Sequence, residues 1–253
     1  MESLTTTQLV ALLAFIAFAA TLYSSVGHGG ASGYLAAMAL FGLAPIFMKP
    51  AALAMNIAVA GLVFYRLWRA GYFDARLFWP FSAGSIPLAF VGGALTLPGG
   101  AYKILVAVAL LIAAARLLWN TQDHEASSTP NIWIALVSGA GLGLLSGLTG
   151  VGGGIFLSPL LLLLRWANMR TTAALSAAFI LVNSIAALAG HATVAVAWPA
   201  QLPLLMLAAL AGAVIGSELA VRRLAPVTLR RVLGVVLVIA GALLAAHWVT
   251  FFI

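Results

Sequence analysis

Apolar residues fill most of the chain in runs separated by short polar stretches, at residues 8–26, 31–43, 50–68, 77–97, 102–119, 132–149, 154–165, 170–190, 199–221 and 227–252. A helix needs about 20 apolar residues to cross the hydrocarbon of a bilayer. Most of the runs meet that length and predict transmembrane helices. The runs 31–43 and 154–165 are too short. Each follows a glycine cluster, Gly27-His28-Gly29-Gly30 in one case and Gly150-Val151-Gly152-Gly153-Gly154 in the other. Glycine disfavours helix and permits positive φ, so the helices are expected to break at both clusters.

The order of features repeats. Each half reads as a long run, a glycine break, a short run, a basic residue and three long runs. Gly27 aligns with Gly150, Met48-Lys49 with Met169-Arg170, Pro98 with Pro226, and Lys103 with Arg231. Between the halves lies a polar stretch, Asn120 to Asn131, which reads as a solvated linker. The expected organisation is therefore a first transmembrane repeat over 1–119, a linker over 120–131 and a second repeat over 132–253.

Composition fixes the solvent. The 253 residues are 64% hydrophobic and 7% charged, with a mean hydropathy of +1.15. A soluble domain carries about 25% charged residues, and this chain has too few to cover a watery surface. Absence of cysteine excludes disulfides, thiolate metal sites and a cysteine nucleophile. The net charge of +7 reads as positive loops on the cytoplasmic side of a membrane rather than as a nucleic-acid surface. The opening Met1-Glu2-Ser3-Leu4 lacks a basic n-region, so no cleavable signal is expected.

The arginines set a topology. If each long–break–short pair enters and leaves on one side, then Arg66, Arg69, Arg76, Arg116, Arg165, Arg170, Arg222, Arg223, Arg230 and Arg231 share a face, leaving Lys49 and Lys103 on the other. That arrangement obeys the positive-inside bias. It puts the linker in the cytoplasm and both termini outside, and makes the two halves inverted repeats. The expected fold is thus an all-α polytopic membrane protein, each repeat a glycine-broken hairpin followed by three transmembrane helices.

Candidate chemistry centres on the breaks. Runs 8–26 and 132–149 are long enough to carry them deep into the bilayer from opposite faces, where they should approach one another. A helix start presents unpaired N–H groups and about half a positive charge. Two such starts aimed at one cavity would hold an anion without a buried Lys or Arg, and none lies at the centre of any apolar run. The candidate ligands are Gly27, His28, Gly29, Gly30 and Ser32 from the first break, and Thr149, Gly150, Gly152, Gly153 and Gly154 from the second. Asn56, Ser176 and Asn183 either face the cavity or join helices by hydrogen bonds. Ser24, Ser25, Ser32, Ser146 and Thr149 either cap helix starts or donate to an oxyanion, with capping favoured. His28 either makes a structural hydrogen bond or serves the anion and carries a proton.

Elsewhere the simpler reading holds. Gly139, Gly141, Gly143, Gly212 and Gly216 are expected to allow close helix packing. Glu218 is expected to pair with Arg222 one turn on. Tryptophans near run ends read as interfacial anchors, and Pro87, with Gly84 and Gly92 nearby, as a kink. No catalytic residue, metal site or cofactor is expected.

With these residues in view, the chain resembles the TauE/SafE sulfite exporter family. The likeness rests on Ser25-Val26-Gly27-His28-Gly29-Gly30-Ala31 and Leu148-Thr149-Gly150-Val151-Gly152-Gly153-Gly154, with a similar order of spans across nearly the whole chain. The resemblance implies a bacterial inner-membrane transporter that exports small sulfur-containing anions, sulfite or organosulfonates such as sulfoacetate. The residues themselves reach only a small-anion carrier with alternating access. The alternatives are an anion channel, an importer of another small anion, or an intramembrane enzyme, for which no acid pair or HExxH is seen. No Walker-type loop is present, so a gradient rather than ATP is expected to supply the energy. Expected partners are the anion and membrane lipid, with a homodimer left open and nucleic acid excluded.

Overall fold

The computed structural model describes residues 5–118, 128, 130–194, 197–222 and 238. The described residues hold nine α-helices and no strand: α1 (Thr6–Ser24), α2 (Ala31–Leu40), α3 (Pro45–Arg69), α4 (Ala75–Ala94), α5 (Gly99–Leu118), α6 (Ile132–Thr149), α7 (Gly154–Leu163), α8 (Met169–Ala192) and α9 (Leu202–Arg222). Six of them, α1, α3, α4, α6, α8 and α9, are long and apolar enough to cross a membrane. The run 227–252, the arginines at 223, 230 and 231, and most of the linker lie outside the described residues.

Polar side chains begin several helices. Thr5 and Gln8 form a reciprocal capping box on α1. Asp74, Asn131 and Asn168 accept backbone N–H groups at the starts of α4, α6 and α8, at 2.9, 2.8 and 2.9 Å. Each cap is worth about 1 kcal/mol. Helix α3 begins at Pro45, five residues before the apolar run, because proline at a first helical position forfeits no hydrogen bond. The helix thereby takes in Lys49, which borders the apolar run. Lys49 is buried, 6% exposed.

The halves match in element length: 19 and 18 residues for α1 and α6, 10 and 10 for α2 and α7, 25 and 24 for α3 and α8. The two longest helices form the centre. The most apolar stretches of α3 and α8 are 61% and 72% buried, against 33–39% for the other four spans. They run antiparallel. Lys49 at the start of α3 shares a cavity with His191 at the end of α8. Tyr72, just past α3, accepts a 2.9 Å hydrogen bond from Arg170 at the start of α8.

Around this pair the halves exchange neighbours, α1 packing on α9 and α4 on α6. Missing side chains allow the close approach. A Cβ at Gly212 or Gly216 would overlap the Ala17 or Thr21 carbonyl, and one at Gly139 or Gly143 would overlap the Phe81 or Ser85 carbonyl. Gly84 and Gly92 press on α6 in the same way while α4 continues through Pro87. Gly141 departs from expectation. A Cβ there meets nothing within 4 Å, so it makes no packing contact.

Glu218 makes an ion pair that reaches across the halves, while the Arg222 side chain expected to pair with it lies outside the described residues. Arg66 of α3 reaches Glu218 at 3.3 Å and donates to the Val214 carbonyl at 2.9 Å. Packing of α9 on α3 turns that helix face toward Arg66, a cross-half contact that spacing along one helix does not reveal. Trp68, Trp79, Trp133 and Trp198 are exposed near helix ends, as interfacial anchors are.

Candidate functional site

Both glycine clusters break the chain, and both are buried. Helix α1 stops at Ser24 and α2 starts at Ala31; α6 stops at Thr149 and α7 starts at Gly154. The residue before each new helix, Gly30 or Gly153, is left-handed, with φ of 103° and 79°. A side chain in that region costs about 1–2 kcal/mol, which explains glycine at both places. Neither helix start has a side-chain cap. The opening N–H groups of α2 and α7 are thus left to the backbone or to a ligand.

The two turns flank the same two side chains, Asn56 of α3 and Ile180 of α8. A Cβ at Gly29 would stand 2.5 Å from Asn56 Oδ1 and 3.1 Å from Ile180 Cγ2. One at Gly152 would stand 2.8 Å from both Asn56 Nδ2 and Ile180 Cγ2. Asn56 is fully buried. Its Nδ2 donates to the Val151 carbonyl at 3.2 Å and to Ser184 Oγ at 3.4 Å, while Oδ1 accepts nothing. A buried acceptor without a donor is costly, and Oδ1 has no donor among the described residues.

His28 ties the first turn to the second half. Its Nδ1–H donates to the Val26 carbonyl at 3.0 Å, which turns Nε2 toward Ser158 Oγ of α7, also 3.0 Å away. Ser158 in turn lies 2.7 Å from Ser176 Oγ of α8. Ser176 therefore connects to the first glycine turn through Ser158, a residue the sequence reading missed. The available signal was its place one helical turn after Gly154, the hydroxyl in an otherwise apolar run. Ser158 also donates to the Gly154 carbonyl, at 3.1 Å.

The other candidates divide. Thr149 Oγ1 accepts the Val151 N–H at 3.2 Å and so closes the second turn, and Tyr102 donates to the Thr149 carbonyl at 3.3 Å. Ser32 donates to Tyr23 Oη at 2.7 Å, and Ser25 to the Leu22 carbonyl at 2.7 Å. Ser24 and Ser146 have hydroxyls with no partner among the described residues. The serines therefore do not cap α2 or α7, because left-handed glycine occupies both capping positions. Asn183 Nδ2 donates to the Phe179 carbonyl of its own helix at 2.9 Å, and no hydrogen bond joins it to either turn. Gly27 lies against Ala173, Gly150 against Lys49 and Gly154 against Ile180.

Residues 12–244 match the family described as Sulfite exporter TauE/SafE. A curated relative from Sinorhizobium fredii (strain NBRC 101917 / NGR234), named Probable membrane transporter protein y4hK, is 37% identical over 227 residues, covering 88% of this chain and 92% of its own length. No solved structure matches the chain. With six candidate spans and a match over most of its length, the chain belongs to the TauE/SafE sulfite exporter family and is a multi-pass membrane transporter.

Proposed function

We propose that the protein is a secondary transporter of the bacterial inner membrane that exports a small sulfur-containing anion, sulfite or an organosulfonate such as sulfoacetate. The anion binds between the starts of α2 and α7 and is exposed alternately to the two faces. The observation that carries this reading is the pair of left-handed, uncapped glycine starts flanking Asn56. Unpaired N–H groups and aligned helix dipoles attract an oxyanion, and glycine lets it approach the backbone. Sulfur chemistry comes from the family description and not from the geometry.

The antiparallel α3 and α8, 25 and 24 residues long and third in order in their halves, support inverted repeats related by an axis in the membrane plane. The proposed repeats are 1–119 and 132–253, joined by a cytoplasmic linker, with both termini periplasmic. An inside-negative potential drives each exported negative charge by about 2.3 kcal/mol per 100 mV, so export proceeds without ATP.

Flux into proteoliposomes, with sulfite, sulfoacetate, sulfate and chloride offered in turn, tests this reading. Saturable flux of sulfite or sulfoacetate, above chloride, is expected. Non-saturating current would make the protein a channel, and no flux of any anion would end the reading.

A further inference from the structure

Apart from the glycine turns, one cavity brings formal charge into the packed interior. It has a volume of about 310 Å³, and its walls include Lys49 of α3, Tyr102 of α5, Leu148 of α6 and His191 of α8. Exposed Ile46 and Thr96 stand at its edge.

Lys49 Nζ donates to the carbonyls of Gly92 and Gly93, each at 3.1 Å, and more weakly to Leu95 at 3.4 Å. These carbonyls end α4, and a helix end supplies only about half a negative charge. The described carboxylates are elsewhere. Asp74 caps the opposite end of α4, about 30 Å away for a 20-residue helix, and Glu218 pairs with Arg66 at the far end of α3. Among the described residues, the ammonium therefore has no anionic partner, and buried charges are ordinarily paired.

His191, 8% exposed, lines the same cavity within electrostatic reach of Lys49. Neither ring nitrogen makes a hydrogen bond of ordinary geometry among the described residues, and the Gly93 backbone is close by. The cavity also abuts the second glycine turn. A Cβ at Gly150 would lie 3.3 Å from Lys49 Cγ, and Tyr102 binds the Thr149 carbonyl.

We propose that the Lys49–His191 cavity is a second anion site, a station that takes a small oxyanion such as a sulfonate and passes it to or from the turn at Gly150. Lys49 supplies the countercharge and His191 an N–H donor. Only the passage step rests on the proposed function; the site itself is tested without transport.

The chain contains no cysteine, so Thr96→Cys provides a single thiol at the cavity edge. Its labelling is followed with an anionic sulfonatoethyl and a cationic trimethylammonioethyl thiosulfonate. The anionic-to-cationic rate ratio is expected to fall about tenfold or more when Lys49→Gln is added, and to persist with Lys49→Arg. Methanesulfonate at constant ionic strength should slow anionic labelling while Lys49 is present. Equal ratios in all three proteins would overturn the site. If Lys49→Gln fails to fold, absence of methanesulfonate protection in the Thr96→Cys protein alone would do so. Sulfite flux in the Thr96→Cys protein separates the two readings. Flux without charge-selective labelling removes this site and leaves the transporter; selective labelling without flux of any anion leaves this site and removes the transporter.

Discussion

The side-chain amide of Asn56 donates to the backbone carbonyl of Val151, 3.2 Å away and in the other half of the chain. This bond holds the second glycine turn against α3, while Oδ1 of the same side chain faces Gly29 without a donor. One residue thus positions one turn and leaves an open acceptor at the other.

Asn56→Leu should leave the helices in place and reduce anion flux by tenfold or more. Loss of a buried hydrogen bond of this kind is worth about 1–3 kcal/mol. Purification and thermal unfolding in detergent would report the fold, and vesicle flux the function. Undiminished flux would detach Asn56 from the anion path.

Glycine substitutions separate geometry from bulk. Gly153→Val combines a positive φ with a Cβ that would sit 3.0 Å from Phe179. Transport should be lost while the protein remains purifiable. Transport at the parent rate would argue against an anion lying on that backbone.

Packing makes a different prediction in α6. Gly143→Ala drives a Cβ into the Ser85 carbonyl, whereas Gly141→Ala meets open space. The first should destabilise by about 1–3 kcal/mol. The second should be neutral or stabilise by up to about 1 kcal/mol, since alanine favours helix. Midpoints of thermal unfolding for the two variants decide it, and equal shifts would contradict the contacts described.

The His28–Ser158–Ser176 chain predicts coupling. His28→Gln should change the pH dependence of flux if the imidazole carries a proton, whereas Ser158→Ala should move both profile and rate by releasing Nε2. Superimposable profiles for His28→Gln and the parent would leave His28 with a purely structural role.

Topology is open to direct chemistry. A cysteine at Glu125→Cys should react only with reagent supplied from the cytoplasmic side. Labelling from the periplasm would reverse the assignment of both faces.

The broken hairpins were legible because three glycines in four residues and four in five strongly disfavour helix. Their closeness to Asn56 was legible in part, since a polar residue in an apolar span has few destinations. The burial of Lys49 was not. Pro45 extends α3 upstream of its apolar run, and the carbonyls that receive the ammonium come from α4, more than forty residues later. Ser158 was missed for a similar reason, as its partners stand on another turn and another helix. Gly139 and Gly141 look alike along the chain, yet only one faces a neighbour, since adjacent alternate positions on a helix point in different directions.

The crossed packing of α1 on α9 and α4 on α6 has a consequence for biogenesis. Neither half completes its own groove: the small-residue face of α4 waits for a helix synthesised after the linker, and α1 waits longer still for α9. Acyl chains fill so narrow a cleft poorly. Assembly must therefore follow insertion, and a chain severed at the linker would regain its shape only by lateral encounter of both fragments within one bilayer.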